Sequence, residues 1–209
     1  MKKRWAFLFL GLLLCWRADA QAGAPANYDV NSEKGKLQIS VSKEGLFKAF
    51  GHDHLISANK VSGSVQFNEQ TLEDSSIDLT VKADSLTVVD PGESDTDRRQ
   101  VQSTMAGKDV LDTEKYLEIH FTSTSVKGKK TGDGWEVMLE GRLSLHGVAK
   151  PISLPIRLSR RAGELSAEGD VSLLQTDFGI TPIKVGGGAV KVKDKIRIHF
   201  DVVADGLGP

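Results

Sequence analysis

The histidines of Gly51-His52-Asp53-His54 are the residues whose type and spacing look most like chemistry. On an extended strand, residues i and i+2 project from one face. Both imidazoles can therefore converge on a cation, and imidazole suits Zn, Cu, Fe or Ni. A third ligand is missing locally. His120, His146 and His199 are the distant candidates, and His120 and His199 alternate with apolar neighbours, which turns them to solvent. The pair has two other readings. His52 and His54 share strand parity with Leu46, Phe50 and Ile56, so they can donate hydrogen bonds to the head group of an apolar ligand, such as a quinone ring. Alternatively they are a structural pair satisfied by Asp53 or by backbone groups.

The remaining reactive patterns are weaker. Arg98-Arg99 suits bidentate recognition of a phosphate or carboxylate, but two adjacent arginines more often mark a solvated helix face. The segment Lys184 to Lys195 holds Gly186-Gly187-Gly188 and four lysines. It lacks the strand-loop-helix setting and the Gly-Lys-Ser/Thr ending of a phosphate loop, and reads as a hairpin connection. No Ser-His-Asp order, paired buried carboxylates or nucleophilic cysteine can be assembled. The expectation is a protein without enzymatic activity and without a required cofactor.

The elements that must position these residues are strands. Trp135, Val137, Leu139, Gly141, Leu143 and Leu145 alternate with Glu136, Met138, Glu140, Arg142 and Ser144, the two-residue period of a half-buried strand. The same period runs through Leu37 to Val41, Val61 to Phe67, Ile77 to Val81 and Ile196 to Val202. Turn clusters at Glu33-Lys34-Gly35, Asn68-Glu69-Gln70, Gly128 to Gly134 and Arg161-Ala162-Gly163 separate the runs. One stretch breaks the period, from Ser94 to about Leu111, and predicts a short helix ended by Gly107 that packs across one end of the sheet.

Strands that are apolar on one face must bury that face together. With no matching set of amphipathic helices to cover an open sheet, the sheet should close on itself, which also removes its exposed edges. The fold class expected is all-β: an antiparallel, extended barrel of about eight strands, with a short helix near one end. A barrel of that size is filled by side chains or holds one small ligand. Gly63, Gly141 and Gly169 lie on the apolar parity, where they either bend the strands or make room. The expected ligand-binding wall is Phe67, Leu79, Val81, Ile119, Phe121, Val137, Leu139, Leu143, Val171, Ile198 and Phe200, with His52 and His54 as polar contacts or metal ligands.

The first residues read as an export signal: Lys2, Lys3 and Arg4, an apolar run from Trp5 to Leu14, and Ala18-Asp19-Ala20 as a small-x-small cleavage pattern. Residues 1–20 are thus expected to be removed, leaving residues 21–209 as one domain in the periplasm or secreted. An apolar run of ten residues is short of the ~20 that cross a bilayer, so no transmembrane anchor is expected after cleavage. Cys15 stands where lipid attachment would need a cysteine, but Leu14 precedes it where such sites prefer a small residue. It is the single cysteine of the chain, so the processed protein has no thiol or disulfide chemistry. The segment removed has a net charge of +3 and the whole chain −1, which leaves about −4, a mildly acidic balance that argues against nucleic acid as a partner, since phosphate binding needs a basic stripe.

Four segments resemble the YceI-like family of periplasmic and secreted proteins. They are Tyr28-Asp29-Val30 with Leu37 to Val41; Lys115-Tyr116-Leu117-Glu118-Ile119-His120-Phe121-Thr122-Ser123; Gly141-Arg142-Leu143-Ser144-Leu145-His146-Gly147-Val148-Ala149-Lys150-Pro151-Ile152; and Thr176-Asp177-Phe178-Gly179-Ile180. The third is the most specific and is similar to a G-x-L-T-x-x-G-V-x-K-P-V pattern. The resemblance spans about Tyr28 to Val203. It implies an extended lipocalin-like barrel and the non-catalytic carrying or sequestering of a long apolar ligand: a polyisoprenoid, a quinone or another lipid. Two departures bear on ligand choice. Arg98-Arg99 are followed by Gln100-Val101-Gln102 where many members have an aspartate- and histidine-containing segment, and extra residues surround His52-Asp53-His54. A periplasmic metal-handling protein and a protein adaptor with a filled barrel are the alternatives, and a homodimer is compatible with any of them.

Overall fold

The computed structural model describes residues 23–44, 53–185, 187 and 190–208. The expected signal at residues 1–20 lies outside them. Twelve strands are defined among these residues: β1 (Ala26–Val30), β2 (Lys36–Glu44), β3 (His54–Ala58), β4 (Val61–Phe67), β5 (Ser76–Lys82), β6 (Leu86–Val88), β7 (Glu118–Thr131), β8 (Gly134–Leu145), β9 (Val148–Arg161), β10 (Glu164–Leu174), β11 (Lys184–Val185) and β12 (Val190–Gly206). A single α-helix among the described residues, α1, spans Asp95–Ala106. Ser94 caps it by accepting from the Asp97 N–H, and the helix ends at Gly107, whose extended backbone still donates its N–H to the Ser103 and Thr104 carbonyls.

All pairings are antiparallel, and the order β1-β4-β5-β7-β8-β9-β10-β12 returns to β1. Eight strands therefore close a ring, as the alternating apolar parity requires. β12 makes this possible because its edge serves two strands. Residues Lys191 to Asp201 pair with β2, and Ala204 to Gly206 pair with β1. The ring is closed at one end, and at the other the sheet continues outward through β2, β3 and β6. One expectation of the turn pattern is corrected: Gly128 to Thr131 is strand, and the connection is Gly132-Asp133 alone.

The base of the barrel is plugged. Phe67 at the end of β4 and Trp135 at the start of β8 meet edge-on with ring centroids 5.0 Å apart. Tyr28, Leu72, Leu165 and Ala204 are buried in the same core. The mouth lies at the opposite strand ends. There, β9 and β10 pair only as far as Ile156 with Gly169, one residue from Pro155, which has no N–H to donate to a ladder. The turn Gln175–Phe178 packs against β9, β10 and β12 and carries Phe178, which is almost wholly buried.

Three of the four segments that resemble the family meet at this corner. Tyr116 packs edge-on against His146 at 4.7 Å, and His146 Nδ1 donates to the Phe178 carbonyl at 3.2 Å. His146 and Gly147 form the two-residue β8–β9 turn with φ of 51° and 73°, the all-positive geometry that matches the twist of a hairpin. A Cβ on Gly147 would lie 2.5 Å from the Tyr116 ring. Gly147→Ala should therefore lose about 1–3 kcal/mol from left-handed strain alone, with the ring clash added. A denaturant midpoint equal to that of the parent protein would show the corner to be unimportant.

Candidate functional site

The barrel encloses a hollow of about 250 Å3, somewhat smaller than most drug-sized ligand sites. Leu79, Val81, Ile119, Phe121, Leu139, Leu143, Val171, Ile198 and Phe200 line it. Phe67 and Val137, also expected on this wall, do not. Phe67 is part of the aromatic plug, and Val137 is buried in the packed core one inward position from Trp135. Their parity is inward, but the base of the ring is filled where the middle is open. Sequence reading missed other wall residues. Met105, Val110 and Leu111 come from α1 and the turn after it, and Phe178, Ile180 and Gln175 come from the turn beyond β10. The sequence places the helix across one end of the sheet, but irregular segments carry no period that would assign their side chains to a lumen.

Two glycines explain why the middle stays open. Gly141 lies beneath the Phe121 ring, and an added Cβ would sit 2.4 Å from its edge carbons. Gly169 pairs directly with Phe200, whose ring tip would be 2.7 Å from such a Cβ. Each phenyl ring lies over a glycine along the wall, an arrangement known to stabilise sheet glycines, instead of crossing the lumen. Gly141 and Gly169 make room first for these rings and, through them, for the hollow. Gly63 differs: its φ of 154° and the close approach of the Asp78 carbonyl mark a bend.

At the mouth, β6 presents an outer edge that no strand covers among the described residues. Gln102 of α1 covers it with its side chain. The carboxamide oxygen accepts from the Val88 N–H and its NH2 donates to the Leu86 carbonyl, both at 2.8 Å. An amide side chain thus reproduces the two bonds of a neighbouring strand and fastens α1, with Met105 facing the hollow. Gln102 falls within the segment that departs from the family pattern. Arg98, by contrast, pairs with Asp95 on the same helix and Arg99 contacts Thr96, which is a solvated helix face and not an anion site.

His52 lies outside the described residues. His54 opens β3 opposite Val41, at the rim of the apolar face. Its Nδ1 donates to the buried Asp90 carboxylate at 2.7 Å. The other carboxylate oxygen accepts from the Leu55 N–H, so Asp90 extends the β3–β6 ladder by one side chain. Asp53, expected as a partner of the histidines, instead accepts from Ser42 Oγ and the Lys43 N–H. No group of three or more His, Cys, Asp or Glu side chains gathers as a metal site among the described residues. His120 and His199 face outward and pair with Asp78 and Asp170.

A slip in the β12 register between Val192 and Ile196 frees polar groups of Lys193 and Asp194 to hold the Gln175–Phe178 turn. Asp194 accepts from the Thr176 N–H at 2.9 Å and the Thr176 hydroxyl at 2.7 Å. The hydroxyl, then the amide, holds the Asp194 carboxyl below its ordinary pKa.

With this geometry, the class of protein is an antiparallel, lipocalin-type closed barrel around an apolar hollow. The YceI-like domain model matches residues 28–204, and the chain belongs to the YceI-like family. It is 29% identical over 189 residues to the UPF0312 protein plu2095 of Photorhabdus laumondii, covering 85% of this chain and 88% of that protein. A UPF0312 protein of Shewanella denitrificans is 27% identical over 188 residues, covering 86% of this chain and 85% of the relative. Among solved structures, BcnA of Burkholderia cenocepacia superposes with a TM-score of 0.65 at 20% identity, over 83% of this chain and 98% of BcnA. A polyisoprenoid binding domain from Saccharophagus degradans, implicated in plant cell wall breakdown, gives 0.63 at 14% identity, over 86% of this chain and 98% of the domain.

The contacts at the mouth can be tested one by one. Gln102→Ala leaves a donor and an acceptor on β6 unpaired, which should cost about 1–3 kcal/mol and accelerate hydrogen exchange at the Val88 amide; unchanged exchange would rule out the fastening role. Replacing Asp194 by alanine should lower stability at neutral pH. Because the folded pKa of Asp194 lies below the unfolded value of about 3.9, its contribution is full above that value and fades as pH falls through the folded one. The gap in denaturant midpoint between parent and variant should therefore narrow from pH 7 to pH 3, and a constant gap would refute the linkage.

Proposed function

We propose that this protein binds a long apolar molecule, a polyisoprenoid, a quinone tail or another lipid, and carries or sequesters it without transforming it. The observation that supports this most directly is the chemistry of the hollow: among the described residues its wall is hydrocarbon throughout, with Gln175 its one polar residue. Such a wall offers burial and little else. Each methylene taken from water contributes about 0.8 kcal/mol, so ten contribute roughly 8 kcal/mol before the costs of association. Useful affinity then needs no charged anchor. The tail contacts are Leu79, Val81, Ile119, Phe121, Leu139, Leu143, Val171, Ile198 and Phe200, with the base plug setting the depth and α1 covering the tail. The fold shared with the polyisoprenoid binding domain of Saccharophagus degradans agrees with this reading.

The site of action in this reading is the periplasm or the exterior, reached after removal of residues 1–20. Native mass spectrometry of protein gently extracted from its own host tests both parts. The expected spectrum has a chain beginning at Gln21 and a non-covalent adduct that dissociates as a hydrophobic molecule. Protein that is uniformly empty would defeat the carrier reading, and a retained Met1 would defeat the export reading.

A further inference from the structure

Gln175 is about nine-tenths buried, with 9% of its surface exposed, and lines an otherwise hydrocarbon hollow. Half of its carboxamide serves the fold, because Nε2 donates to the Lys193 carbonyl at 2.8 Å and so ties the turn beyond β10 to the irregular stretch of β12. That bond also fixes which end of the amide is which, since only the NH2 can face a carbonyl. The oxygen, Oε1, accepts no hydrogen bond among the described residues. We infer that Gln175 is a specificity-determining residue whose free Oε1 accepts a hydrogen bond from a hydroxyl on the bound lipid, so that the preferred ligand is an apolar chain ending in an alcohol or phenol.

This inference rests on the lipid-carrier reading. Gln175 stands at the mouth, where β10 ends and β12 begins, while the opposite end is stopped by Phe67 and Trp135. A chain inserted tail-first therefore leaves its polar end beside Gln175. Water can serve Oε1 while the hollow is empty, but an apolar tail expels it, and a ligand that displaces water without replacing its hydrogen bond loses affinity. A terminal hydroxyl restores the bond; an ether oxygen, having no hydrogen, does not. The bond to the Lys193 carbonyl uses only the NH2, which leaves the acceptor half of the carboxamide for a guest.

The test uses the purified protein and displacement of the neutral dye N-phenyl-1-naphthylamine by farnesol, farnesyl methyl ether and the saturated hydrocarbon farnesane. Hydrophobicity alone ranks farnesol the weakest of the three. The inference expects the reverse for farnesol against the ether, by about tenfold, equivalent to 1.4 kcal/mol. In Gln175→Leu the preference should vanish through weaker farnesol binding, with the ether unaffected or improved. Binding of all three in order of hydrophobicity by the parent protein overturns the role of Gln175 and leaves the carrier reading intact. An equal loss for farnesol and ether in the variant has the same meaning. Failure of every compound to displace the dye overturns both. The comparison among ligands on the parent protein decides the matter even where the leucine variant does not fold.

Discussion

The architecture depends on the single edge of β12 that two strands share. Its 17 residues make it longer than either neighbour on that side, so β2 occupies the first part of the edge and β1 the last. Were β2 to run the full length, β1 would have no second partner and the ring would stay open. Were β1 to do so, the sheet could not extend through β2, β3 and β6. Sharing the edge closes the base, where the aromatic plug forms, and widens the mouth, where the helix covers it. A closed base and a covered mouth are what make the space inside a hollow with a direction.

That space persists because the inward side chains are disposed along the wall. Packed interiors have few voids larger than a water molecule, and an unfilled hydrocarbon cavity costs stability in proportion to its size. Here Phe121 and Phe200 lie over Gly141 and Gly169, so the largest side chains of the middle do not meet across the lumen. The void is a cost built into the fold, one that a hydrocarbon guest would offset. The plug carries the opposite design: Phe67, Trp135 and Tyr28 are buried together in the core at their end.

The mouth is where polar groups concentrate, and nearly all are satisfied by side chains acting as backbone. Gln102 stands in for a strand beside β6, Asp90 extends the β3 ladder while orienting His54, and Asp194 holds the turn beyond β10. These hydrogen bonds act together with the buried Met105 of α1 and Phe178 and Ile180 of the turn beyond β10 to keep the covering segments in place. The segments that carry the resemblance to the YceI-like family do two things: Tyr116, His146, Gly147 and Phe178 build a corner at the mouth, and Ile119, Phe121 and Leu143 of the same segments line the hollow.

Much of this was legible in the order of residues alone. A two-residue apolar period determines which side chains face inward whatever the surroundings, because the pleat alternates; hence most of the wall from Leu79 to Phe200 and the closed all-β class could be read in advance, and the break in that period marked the helix. Parity says nothing of depth along the axis, so it could not separate Phe67 and Val137, in the packed base, from Phe121, in the open middle. Nor could it reveal that Asp90 rather than Asp53 holds His54, that Gln102 completes a sheet edge, or that Gln175 faces the lumen. Those depend on contacts between residues distant in the chain, and only the closed ring, by bringing the ends of its strands together at one mouth, decides them.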